Sequence, residues 1–261
     1  MKSRILLAPL FTALLALPAL ATPILAAELP ARLDWSQRVE LGTPLTGRVA
    51  STNAEPGQSV QRGQVLVRLD DRRFQAAVEE SEAQVKRLGL ARDEAERELE
   101  RARELFDRTA IPQHDLSLAE IAFSMAEAEH AAARAQLTRA RIDLEYSRIE
   151  APFDGVVVAR MIGTGETVSG ELQIAPLITV ASAEPLLARA LVGEAMLAEL
   201  QNGQSVQVTT AGRSYAAEIV HLGLEAVGDA DGEALFEVVA SFRAPAEHGL
   251  RAGLRATLRL P

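Results

Sequence analysis

The 261-residue chain has no cysteine, lysine only at positions 2 and 86, four histidines and a single tryptophan. Without cysteine it has no disulfide, the usual compensation for a thin core in a small exported domain, and no thiolate nucleophile or Cys-based metal site. The same absence leaves no lipobox cysteine, so no lipid anchor is expected. His114, His130, His221 and His248 show neither an HExxH motif nor i, i+4 pairing, and read more simply as solvated or packed imidazoles than as zinc ligands. No G-x-S-x-G nucleophile motif occurs, and Gly228 to Glu233 lacks the spaced ligands and final glutamate of a calcium loop. No aromatic cluster marks a small-molecule pocket. Catalysis, cofactors and bound metal are therefore not expected. Net charge is −9, which disfavours nucleic acid and anionic lipid as partners.

Long apolar runs are scarce as well. One follows Met1-Lys2-Ser3-Arg4, from Ile5 to Ala27, interrupted by Pro9, Pro18 and Pro23 and carrying the small-residue triplet Ala19-Leu20-Ala21. A charged start, a short apolar core and small residues describe an export leader over residues 1–27, with an uncleaved membrane anchor as the alternative.

What the chain does contain is an internal repeat. Leu45-Thr46-Gly47-Arg48-Val49 with Gly57-Gln58-Ser59-Val60 returns as Phe153-Asp154-Gly155-Val156-Val157 with Gly165-Glu166-Thr167-Val168, and matching positions are 108 residues apart throughout. Each copy reads as a strand, a glycine turn, a short β piece and a second strand, Gln64 to Leu69 in one and Leu172 to Ala181 in the other. Gly47, Gly57, Gly155 and Gly165 are taken as the structural turns. Neither copy has enough strands to cover an apolar face, so the two halves are expected to join into one sandwich.

Between the halves, Ala, Glu and Arg dominate, with Gly89 and Pro112 as the only helix breakers. A 3-4 spacing runs through Phe74, Val78, Ser81, Val85, Leu88, Arg92, Ala95, Leu99, Ala102 and Phe106. After Pro112 it resumes as Leu118, Ile121, Met125, Ala128, Ala132, Ala135, Arg139, Ile142, Tyr146 and Ile149. Pro112 lacks an N–H and clashes with the preceding turn, so the chain is expected to reverse there. Two arms of roughly 35 residues then project roughly 50 Å at about 1.5 Å per residue. Beyond Ser182 come Leu186 to Val192, a short helical stretch from Glu194 to Leu200, then Gln204 to Thr210, Ser214 to Gly223, Ala234 to Phe242 and Leu254 to Leu260. The alternating runs, separated by Asn202-Gly203, Ala211-Gly212-Arg213 and Gly228 to Gly232, read as hairpins of a small antiparallel barrel.

Half-motif, helical hairpin, half-motif and barrel, in that order, resemble the periplasmic adaptor subunits of tripartite efflux pumps, the HlyD-like membrane fusion proteins. The residues that carry the resemblance are Gly47-Arg48-Val49 with Pro56 to Val60 and Gly63 to Leu66, then Ile149-Glu150-Ala151-Pro152-Phe153-Asp154-Gly155-Val156-Val157. Leu200 to Val206 and Leu250 to Leu254 look like the family's barrel segments, with Ala252 and Leu254 as departures. The fold implied is mixed β plus a long α-helical coiled-coil hairpin: a lipoyl-like β-sandwich split by the hairpin, followed by a small antiparallel β-barrel. The divisions are residues 1–27 leader, 28–44 an N-terminal strand contributing to the barrel, 45–70 first lipoyl-like half, 71–148 hairpin, 149–182 second half and 183–261 barrel. By resemblance, the function is to link an inner-membrane efflux transporter of the resistance-nodulation-division type to an outer-membrane channel protein for export of small molecules, as a homo-oligomeric ring in the periplasm, without nucleic acid. The resistance-nodulation-division branch carries Arg, three residues, Leu, six residues, Ser at its hairpin tip; Arg101 and Leu105 match, and Pro112 replaces the serine. An ABC-type exporter is the alternative motor, and a coiled-coil scaffold outside transport the more distant one. Arg101, Leu105, Arg108, Ile111, Pro112, Gln113 and Asp115 are the expected partner-binding residues. The family's membrane-proximal domain is expected to be largely missing. Lipoyl and biotinyl carriers share the two-half sandwich, but their modified lysine sits where this chain has its hairpin, and Lys86 lies inside the first arm.

Overall fold

A computed structural model describes residues 28–170, 175–182, 184–230, 232–245 and 248–260; the leader reading over 1–27 and the strand start at Leu172 lie outside them. The sandwich consists of two four-stranded sheets. One is ordered β2 (Arg38–Leu41), β9 (Ile178–Ala181), β7 (Gly155–Arg160), β4 (Ser59–Val60), the other β6 (Arg148–Glu150), β5 (Val65–Leu69), β3 (Gly47–Thr52), β8 (Thr167–Val168). Every sheet thus draws strands from both halves. Ser59 opposes Val156 and Val60 opposes Gly155; the counterparts shifted by 108 residues, Thr167 with Arg48 and Val168 with Gly47, are paired as well. The backbone bonds repeat the symmetry: the Gly57 N–H donates to the Val157 carbonyl at 2.8 Å, and the Gly165 N–H to the Val49 carbonyl at 2.9 Å.

The core between these sheets comprises Val49, Leu66, Val67, Leu69, Val157, Ile178 and Val180, all nearly sealed from solvent. Burial of such side chains stabilises by about 1.5–3 kcal/mol each, and because they come from both halves neither half can keep that gain alone. Gly57 and Gly165 adopt φ of +88° and +92°, a region open to glycine. The other two expected turn glycines differ. Gly155 opens β7, and a Cβ there would lie 2.3 Å from the Ala181 carbonyl oxygen, so its role is close approach between strands. Gly47 opens β3, where a Cβ would meet only ordinary contact with Leu69, so no turn geometry requires it.

The second module is a closed six-stranded barrel ordered β1 (Glu28–Trp35), β10 (Leu186–Gly193), β13 (Glu233–Phe242), β12 (Arg213–Ala230), β11 (Ser205–Thr210), β14 (Arg255–Arg259). Its edges vanish because β14 pairs with β1 through Leu29 opposite Leu258 and Ala31 opposite Ala256. A one-turn helix, α3 (Glu194–Leu197), is shorter than the helical stretch read to Leu200. Two boundaries need correction. Only β1 of the 28–44 segment joins the barrel; β2 pairs with β9 of the sandwich, because Ser36 and Gln37 carry the chain from one module into the other. And β12, read from the sequence as ending near Gly223, continues to Ala230 through three register shifts.

Candidate functional site: the hairpin and its tip

Helices α1 (Arg72–Asp107) and α2 (Gln113–Tyr146) form the hairpin, 36 and 34 residues long. Its root is tied to the sandwich at several points. The Leu69 N–H donates to the Ser147 carbonyl at 2.9 Å, the Thr43 hydroxyl donates to the Tyr146 carbonyl at 2.9 Å, and Arg73 donates to the Thr46 carbonyl. Arg72 bonds the neighbouring Asp70 carboxylate and holds its pKa down at about 2.

Along α1 the ten positions expected from the 3-4 spacing are all buried or half-buried, with Phe74, Ser81, Leu88 and Leu99 the deepest, and Ala77, Gly89 and Asp93 beside them are half-buried too. Along α2 the expected seam is wrong by a constant two residues. The side chains that face α1 are Leu116, Ala119, Phe123, Ala126, His130, Ala133, Leu137, Ala140 and Leu144, while Leu118, Ile121, Met125, Ile142 and Tyr146 are exposed. Two residues rotate a helix by about 200°, so the stripe read as the inner seam lies on the outer face. On the inner face Ala126, Ala133 and Ala140 let the two backbones approach, while Leu116, Phe123, Leu137 and Leu144 fill the seam between them. The His130 ring packs opposite Gly89 of α1, 3.5 Å from where a Cβ would stand, an ordinary contact distance.

The tip is a Schellman turn with an unusual occupant. The Thr109 N–H donates to the Phe106 carbonyl and the Ala110 N–H to the Leu105 carbonyl, both at 2.8 Å, which satisfies the last carbonyls of α1. Thr109 takes the left-handed position at φ 54°, normally glycine's. A β-branched residue held there stores roughly 1–2 kcal/mol of strain. Pro112 then enters α2 from an extended conformation, φ −75° and ψ 159°, and Asp115 occupies the first turn, where a carboxylate complements the positive end of the helix dipole.

The turn brings Arg108, Ile111, Pro112, Gln113 and Asp115 together at the apex, all exposed except the half-buried Ile111. Arg101 and Leu105 sit farther down α1, two and one turns back, with Arg101 paired to Glu98. Thr109 was missed by the sequence reading; its backbone strain carries no signal in residue type alone. Lys86 is exposed along the shaft of α1, away from the junction of the half-motifs. Among the described residues, no three His, Asp or Glu side chains converge to hold a metal ion, and no helix is long and apolar enough to cross a membrane.

Comparison with known proteins fits this geometry. Residues 37–181 match the family described as CzcB-like, barrel-sandwich hybrid domain. The pyoverdine export membrane fusion protein PvdR of Pseudomonas putida is 36% identical over 186 residues, 66% of this chain and 47% of that protein. The macrolide export protein MacA of Yersinia pestis is 30% identical over 195 residues, 69% of this chain and 53% of that protein. The chain thus spans about half the length of these relatives. Among solved structures, the membrane fusion protein Spr0693 of Streptococcus pneumoniae R6 superposes with a TM-score of 0.69 at 17% identity, covering 90% of this chain and 98% of that one. A MacA-MexA chimera with the Pseudomonas aeruginosa MexA α-hairpin superposes at 0.64 and 20% identity, over 90% and 80% of the two chains. At these identities the likeness establishes the fold.

Proposed function

The chain belongs to the membrane fusion proteins with a CzcB-like barrel-sandwich hybrid domain, and from that premise we propose that it is a periplasmic adaptor, joining an inner-membrane transporter to an outer-membrane channel for export of small molecules. One observation carries the reading: the position used for carrier chemistry in a lipoyl sandwich is occupied here by a two-helix arm of 36 and 34 residues ending in a strained, polar apex. Such an arm supplies reach of about 50 Å and a contact point, and supplies no reactive group. The adaptor therefore contributes geometry and sealing to export, with no turnover of its own.

The outer face of α2 supports assembly into a ring of identical subunits. Leu118, Ile121, Met125, Ile142 and Tyr146 form a second heptad-spaced stripe that the hairpin itself does not cover, and a neighbouring hairpin or a helical channel end would bury it. Within this reading the tip residues Arg108, Ile111, Pro112, Gln113 and Asp115 meet the channel. Arg108→Glu combined with Asp115→Arg is expected to abolish photo-cross-linking between apex and channel and to stop export; unchanged cross-linking and export would remove the tip from the interface.

Two motors fit the adaptor. Arg101 and Leu105 support a resistance-nodulation-division partner, whereas the 30% identity to the macrolide export protein MacA supports an ABC-type exporter. Collapse of the proton gradient with ATP maintained separates them: export that persists requires the ABC-type motor, and export that stops requires the proton-driven one.

A further inference from the structure

The outer wall of the barrel holds three arginines in one cross-strand row. Arg189 of β10 lies opposite Arg32 of β1, and Arg32 lies opposite Arg255 of β14. Cβ atoms at such positions are about 5 Å apart, and like charges set there repel. The row has compensation at one end only: Arg189 bonds Asp34 at 2.8 Å and Glu237 at 3.0 Å. Arg32 and Arg255 are exposed and have no carboxylate partner among the described residues. Arg32 and Arg255 line a groove together with the paired Arg189 and Glu237, and its apolar wall includes Pro30 and Leu191, the latter 46% exposed. Two unpaired guanidiniums beside apolar surface suit a carboxylate-bearing, partly apolar ligand.

The same chain carries a surface of the opposite kind. Between Arg213 and Arg243 there is no lysine or arginine, and Glu218, Glu225, Asp229 and Glu233 lie in that stretch without lining the groove, whereas Glu237 lines it beside Arg189. The stretch forms the β12–β13 ribbon, where β12 beyond Ile219 pairs only with β13. The three register shifts of β12 coincide with Val220, Leu224 and Val227, which are 49%, 93% and 62% exposed. Such irregularities blunt an edge against strand addition while turning side chains outward. The ribbon therefore presents apolar knobs flanked by Glu225 and Asp229.

We infer that the β12–β13 ribbon of one copy docks in the Arg32–Arg255 groove of a second copy, with Leu224 and Val227 against Pro30 and Leu191 and with Glu225 and Asp229 neutralising the two free arginines. The contact rests on the proposed ring and names one of its interfaces. An acidic chain of net charge −9 makes a second copy with local charge complementarity a better occupant than an anionic bilayer.

Sedimentation velocity over a concentration series of the purified full chain tests it. Arg32→Glu with Arg255→Glu should weaken self-association about tenfold or more, as should Glu225→Arg with Asp229→Arg, and the four changes together should restore it to within about threefold. The arginine reversals relieve repulsion with Arg189, so the monomer keeps its fold, and an unchanged melting curve checks this. Leu224→Ser leaves charge alone and should weaken association by a similar factor. An unaltered association constant, failure of the combined variant to recover, or a monomer at every concentration would overturn the contact. Arginine-dependent binding to phosphatidylglycerol vesicles would also overturn it, in favour of a lipid headgroup. Transporter and channel are absent from this measurement, so its failure leaves the adaptor reading to the cross-linking test, and failure there leaves this contact standing.

Discussion

Helices α1 and α2 are nearly equal in length and lie against each other, yet they solve the packing problem differently. Helix α1 carries one apolar row, with Phe74, Leu88 and Leu99 at its deepest points, and its outer faces are mostly charged, with Leu90 an exposed exception. Helix α2 carries two. Its inner row is alanine-rich, with Leu116, Ala133 and Ala140 most buried, and its outer row holds the larger Leu118, Ile121 and Met125, 52–59% exposed. The inner row also carries Phe123, Leu137 and Leu144, so it supplies large apolar side chains to the contact as well as the alanines that let the backbones approach. The difference teaches that a helix can be amphipathic toward its own chain and still keep a second face for something else.

This asymmetry can be broken from either side. The largest effect is expected on α1, where Leu99→Ala removes a side chain 4% exposed and should destabilise the hairpin by about 2–4 kcal/mol, read as a lower urea midpoint for the helical signal. Ala133→Leu, on the opposing row, should cost about 1–3 kcal/mol by forcing the backbones apart; a neutral result would mean the inner row is not the contact. At the apex, where the two helices join, Thr109→Gly should raise the melting temperature, releasing about 1 kcal/mol of left-handed strain. The smallest change belongs to the outer row. Ile121→Gln with Met125→Gln should leave the stability of the isolated subunit within about 0.5 kcal/mol while lowering self-association of the full chain, and a large loss of monomer stability would return these side chains to the intramolecular seam.

The two helices also differ in how far they were legible. For α1 the sequence offered a single 3-4 row, and all of its positions are buried or half-buried. For α2 two rows with the same spacing lie two residues apart, each mixing alanines with larger apolar side chains, and spacing alone does not choose between them. The apex was legible through Pro112, which cannot continue a helix, while Thr109 was not, because residue type does not reveal that a turn forces it to positive φ. In the barrel, the free arginines and the exposed Leu224 become notable only once strand register sets Arg32 between Arg189 and Arg255.

By itself, the sequence determined the repeat with its 108-residue offset, the reversal at Pro112 and the split of the sandwich by a helical insertion, since these depend on glycine, proline and local periodicity. Only the tertiary structure decided which face of α2 turns inward, how residues 28–44 divide between barrel and sandwich, and which arginines stand without a counter-charge. Those outcomes depend on how closely two backbones can approach and on which strand lies beside which, quantities set between segments far apart in the chain and therefore invisible to any window along it.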